Sequence, residues 1–172
     1  MRQTGTIARL EPKAFFIFGS ALLVSLLMLS ALPGKLNAAP VEMSARRLSE
    51  TARELVDRLQ IHAAVAVRID ERNDKMVSVE VLPGGSFVVS FDRSFLKSLT
   101  EDEVAAAIAH ELGHVWIFSH HPYLQTEELA NEVALRITDR ETLKRLYRKM
   151  WAQTGIVENF DEILPPDRKT SD

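Results

Sequence analysis

The 172-residue chain contains no cysteine. That excludes disulfide bonds, a thiolate metal site and a lipid anchor on a cysteine, and it fits oxidising and reducing compartments equally. The chain also lacks an excess of either charge. With 21 Lys and Arg against 24 Asp and Glu, the formal net charge is −3. Such a balance does not provide the electrostatic footprint of a nucleic-acid-binding surface, and no nucleic acid is expected as a partner. No internal repeat is visible. The length suits one modest domain once the N-terminus is set aside.

What the N-terminus does contain is a targeting pattern. Arg2, Arg9 and Lys13 precede an apolar run from Ala14 to Leu32, which Pro33-Gly34 interrupts. A positive region followed by a hydrophobic one is the pattern of a secretory signal, and Leu36-Asn37-Ala38 offers a small-residue cleavage site before Ala39. Residues 1–38 are therefore expected to be a signal peptide. The alternative is an uncleaved anchor, because the run at 14–32 is nearly long enough to span a bilayer with its positive end in the cytoplasm. Both versions place the remaining domain outside the cytoplasm, periplasmic, secreted or anchored.

Residues 41–160 read as one α+β domain. Leu48, Ala52, Leu55, Val56 and Leu59 recur at helical spacing between Val41 and Gln60. The period then changes. Ala64 to Asp70 is rich in Val and Ala, and Val77, Val79 and Val81 alternate with polar residues, as in a half-buried strand. A third strand runs from Ser86 to Phe91 after the Pro83-Gly84-Gly85 turn. Polar turns on both sides of the second strand lead us to expect a small antiparallel three-stranded meander. A short helix follows from Arg93 to Leu99, and Thr100 with Glu103 forms a capping box that starts a longer one. Ser119-His120-His121-Pro122 reads as a loop. Further helices are expected from Gln125 to about Thr138 and from Asp139 or Arg140 to Gln153, the latter ended by Thr154-Gly155. The charged, Pro-bearing segment 161–172 is expected to be disordered.

The chemistry lies in His110-Glu111-Leu112-Gly113-His114. On an α-helix, residues four apart share a face, so His110 and His114 can direct two imidazoles at a single ion. Glu111 projects near the same rim. Zinc hydrolases need two neutral nitrogens on a rigid element, an open coordination position and a carboxylate to take a proton from water. The flanking stretches Val104 to Ala109 and Val115 to Phe118 are nearly all apolar. A helix hydrophobic all round is buried, and buried imidazoles and a carboxylate are costly without a partner. Zinc is the simplest partner.

The third ligand has three candidates. Glu127 is followed one turn on by Asn131, which can accept a hydrogen bond from a ligating imidazole. Ala130 and Ala134 are small enough to let their helix approach the motif helix closely. Glu128, with Glu132 one turn on, is the second. His120 is the third, because it sits where metzincins carry the last histidine of H-E-x-x-H-x-x-G-x-x-H. Ile117 stands at that pattern's glycine, which fits a continuing helix.

From Leu82-Pro83-Gly84-Gly85 through Phe87-Val88-Val89-Ser90, Phe95-Leu96 and Glu101 to His114, and again from Glu127 to Leu135, the chain resembles the HtpX-like and CAAX-prenyl-protease group of gluzincin zinc peptidases. Glu127 to Leu135 is similar to that group's E-x-x-A-D-x-x-A-L, and this register selects Glu127. Asn131 replaces the usual aspartate, the connection from His114 to Glu127 is short, and the membrane-helix bundle of many members is missing. The resemblance implies a zincin-like fold with the sheet packed on the motif helix. It also implies one Zn²⁺ per chain on His110, His114 and Glu127, and a metalloendopeptidase using a zinc-activated water with Glu111 as general base. Protein or peptide substrate would lie along the Ser86, Phe87, Val88, Val89, Ser90 strand. The rival function is a non-catalytic zinc-stabilised module that binds unfolded or assembling envelope proteins. Such a closed site would take a fourth protein ligand, for which His120 or His121 is available.

Overall fold

The computed structural model describes residues 43–156 and 159–166. The apolar run at 14–32 and its cleavage site lie outside these residues, as does the second half of the tail, residues 167–172. Among the described residues no helix is long and apolar enough to cross a membrane. The elements are α1 (Ala45–Arg58), β1 (Val65–Asp70), β2 (Val77–Val81), β3 (Phe87–Asp92), α2 (Arg93–Ser98), α3 (Glu101–His120), α4 (Glu127–Ala134), α5 (Arg140–Thr154) and α6 (Phe160–Ile163). This is the α+β class with a three-stranded sheet.

The sheet is not the expected meander. Its order is β1-β3-β2, with β2 antiparallel and β1 parallel to β3. The β2–β3 hairpin closes through Gly84 and Gly85, whose φ angles of 92° and 80° suit glycine. The link from β1 to β2 instead crosses the end of β3. Asn73 holds that crossing: its backbone N–H donates to the Asp92 carboxylate, and its side-chain amide donates to the Ser90 carbonyl and Ser78 hydroxyl. Phe87 to Phe91 are all buried, whereas β1 and β2 are only half-buried. Burial on both faces is what a central strand requires.

Helix α3 is the axis of the domain, packing against α1, β2, β3, α4 and α5. Its apolar circumference explains this, since Val104, Ala106 to Ala109, Leu112, Val115 and Ile117 are all buried. Both halves of the Thr100–Glu103 capping box form, a feature that stabilises a helix start by about 1 kcal/mol. Glu103 is itself buried, and its charge is met by Lys149 on α5. The same carboxylate therefore caps α3 and ties α5 to it. The helix continues through His120, two residues into the expected loop. His121, outside helical geometry just before Pro122, ends it.

Of the segment expected to be disordered, residues 161–166 are described, and their first part is structured. Asn159 caps α6, accepting from the Asp161 N–H, and Ile163 and Leu164 enter the main hydrophobic core. Two large apolar side chains suffice to dock this short segment despite its charged neighbours.

Candidate metal centre

Two capped helices bring the ligands together. On α3, His110 and His114 stand one turn apart with ring centroids separated by 4.9 Å and ring planes at 90°. Thr126 caps α4, accepting from the Leu129 N–H, and so starts that helix at Glu127. The helices meet at Gly113 and Ala130 with almost no space between them. A Cβ on Gly113 would lie only 2.4 Å from the Ala130 carbonyl oxygen. That contact lowers Glu127 onto the histidine pair.

Glu127 Oε2 lies 3.2 Å from His110 Nε2, and Oε1 lies 3.5 Å from His114 Nε2. One donor atom from each side chain falls within 4.8 Å of the others. Zinc bonds of about 2.0–2.2 Å in a tetrahedral arrangement separate neighbouring ligand atoms by about 3.4 Å. The donor set and its spacing fit zinc.

Each imidazole is oriented from behind. Asn131 Oδ1 lies 2.9 Å from His110 Nδ1. Gln125 Oε1 lies 3.2 Å from His114 Nδ1, while its Nε2 donates to the His114 carbonyl at 3.3 Å. An acceptor on Nδ1 leaves the Nε2 lone pair to face the ion. The Tyr147 hydroxyl from α5 also reaches this group, 3.1 Å from Asn131 Oδ1 and 3.4 Å from His110 Nδ1. Sequence reasoning missed Gln125 and Tyr147. Gln125 stands two residues before the third ligand and could have been weighed as its partner; Tyr147 comes from a separate helix and carries no spacing signal.

The charges are strongly coupled. Burial works against the charged form of His110, but the hydrogen bond to Glu127 and the Glu111 and Glu127 charges prevail and raise its pKa to about 9. Burial lowers that of His114, as does the His110 charge. For Glu127, burial is outweighed by the His110 hydrogen bond and both histidine charges, and its pKa falls. Glu111 is not part of this cluster. Burial raises its pKa to about 7, against the His110 charge and a hydrogen bond from the Val79 backbone N–H. A carboxylate titrating near neutrality can both take and return a proton there.

The remaining candidates lie elsewhere. Glu128 is exposed on α4 and outside the cluster. His120 stacks on Trp116 at 4.1 Å and directs Nδ1 to the Trp116 carbonyl, because it is two residues past the face that carries His110 and His114. The expected substrate strand, Ser86 to Ser90, is corrected as well. It belongs to β3, which is paired on both sides and has no free edge to accept another strand. The outer strand packed against α3, the helix of Glu111, is β2.

No match was found among curated proteins. The solved structure of the metallopeptidase zymogen of Pyrococcus abyssi abylysin is similar at 18% identity and a TM-score of 0.48, covering 63% of this chain and 95% of that chain. The profile of Peptidase family M48 matches residues 42–158, a span that carries the whole ligand cluster and Glu111. The chain therefore belongs to peptidase family M48 and is a metalloprotease.

Proposed function

We propose that the protein is a zinc-dependent endopeptidase that cleaves protein or peptide substrates outside the cytoplasm, most similar within its family to the HtpX-like group. The observation that carries this reading is the meeting of His110 Nε2, His114 Nε2 and Glu127 at zinc-ligand spacing, with Glu111 buried beside them. His110, His114 and Glu127 would hold the ion. When bound, zinc supplies Lewis-acid polarisation of the scissile carbonyl and makes water a stronger acid. Glu111 accepts a proton from the attacking water and delivers it to the leaving amine, a role suited to its pKa of about 7. Asn131 and Gln125 keep the two imidazoles aimed. Substrate pairs with the free edge of β2 as an added strand, which brings its backbone past Glu111.

The extracytoplasmic assignment rests on the basic and apolar start of the sequence, which serves as export signal or anchor. A closed structural zinc site is disfavoured, because the cluster among the described residues has three ligating side chains and neither His120 nor His121 joins it. Elemental analysis of the purified protein tests the metal directly. One zinc per chain is expected in the wild type and none in His114→Ala. A wild-type chain that takes up no zinc would overturn the proposal.

A further inference from the structure

The buried amide of Asn131 faces two opposite demands. The Ile163 carbonyl of α6 lies 2.8 Å from one end of it. A backbone carbonyl can only accept, so that end must be the donor, Nδ2. The other end, 2.9 Å from His110 Nδ1, is then Oδ1, which can only accept. His110 must therefore carry hydrogen on Nδ1, which leaves Nε2, beside Glu127, as the nitrogen whose lone pair the ion would take. The Tyr147 hydroxyl occupies the remaining position, 2.9 Å from Nδ2 and 3.1 Å from Oδ1. An aspartate at 131 would serve His110 as well or better, since it is a charged acceptor. It would also press a carboxylate oxygen against the Ile163 carbonyl in a site closed to water.

We propose that the Ile163 backbone carbonyl is a positioning group of the metal site. By fixing the Asn131 amide it fixes the His110 tautomer, and it makes asparagine rather than aspartate the fitting residue at 131. Helix α6 lies beyond the span that matches the family. A segment outside that span thus becomes part of how this chain holds its ion. The inference rests on the zinc reading of the cluster.

Zinc dissociation constants, measured by competition with a chromophoric chelator, test it at neutral pH. Four proteins are compared: wild type, Asn131→Asp, the double variant Ile163→Ser/Leu164→Ser that loosens α6, and Asn131→Asp in that loosened background. Circular dichroism and melting check that each is folded. In the intact chain, Asn131→Asp should weaken zinc binding about tenfold or more, within the range for loss of a ligand-orienting partner. In the loosened background the order should reverse, with aspartate binding more tightly than asparagine. Should the double variant fail to fold, the single substitution decides the question alone. Equal or tighter zinc binding by Asn131→Asp in the intact chain would overturn the role of Ile163 and leave the zinc reading standing. A wild type that binds no zinc would overturn both.

Discussion

Replacing Gly113 with alanine sets two known magnitudes against each other. Helix propensity alone favours alanine by about 1 kcal/mol. The new methyl, however, would stand 2.4 Å from the Ala130 carbonyl oxygen and 2.9 Å from its Cα, where ordinary contact begins at 3.4 Å. Neither neighbour is a flexible side chain that can swing away. Helix α4 must then retreat by about 1 Å, and overpacking of this kind costs about 1–3 kcal/mol. The net loss of stability is therefore small, at most about 2 kcal/mol, and the fold survives. The site does not, because metal–ligand distances tolerate only about 0.2 Å. Glu127 starts α4 one turn before Ala130 and retreats with it. We expect Gly113→Ala to melt within several degrees of the wild type yet bind zinc at least tenfold more weakly in chelator competition. Wild-type zinc affinity in a folded Gly113→Ala protein would refute the claim that this backbone contact sets the position of Glu127.

Two other outcomes follow from the same geometry. In the metal-free chain His110 keeps its added proton up to about pH 9, against 6.5 as the ordinary value. That charged form contributes stability fully present below pH 6.5 and lost as pH rises through about 9. Zinc must displace the proton, so its apparent affinity should climb about tenfold per pH unit from about pH 6.5 to 8.5; an affinity flat across that interval would contradict the coupling. Ser90, on the strand first expected to hold substrate, is buried in β3, and among the described residues its hydroxyl has no hydrogen-bond partner. Ser90→Ala should leave KM unchanged and stabilise the chain by up to about 1 kcal/mol in urea unfolding. A raised KM would restore β3 as a substrate strand.

The helical half of the fold was legible because its signals are local. Thr100 and Glu103 announced the start of α3, Gly155 the end of α5, and the apolar surroundings of His110 and His114 told that α3 is central. Strand order was not legible in the same way. The polar turn after β1 looked like a hairpin, and only the Asn73 contacts with Asp92 and Ser90 show that it crosses the end of β3. One clue was present, since Phe87 to Phe91 is apolar at every position but Ser90 where β2 alternates. Within the site, spacing brought out Glu127 and Asn131 as a turn-separated pair. Tyr147 and Ile163 act through contacts between segments far apart in the chain, and no local pattern marks them. The buried α6 went unrecognised because two apolar residues among charges make a weak sequence signal, although they are enough to fill a gap in a core.

The central claim is that the cluster turns over peptide bonds with Glu111 as the proton-transfer group. Cleavage of casein or of an unfolded protein should be measured for wild type and Glu111→Gln at matched zinc content. The account predicts one zinc per chain in both proteins, cleavage by the wild type, and a loss of about 10²–10⁴-fold in the variant. Undiminished cleavage by a zinc-loaded Glu111→Gln protein would contradict it.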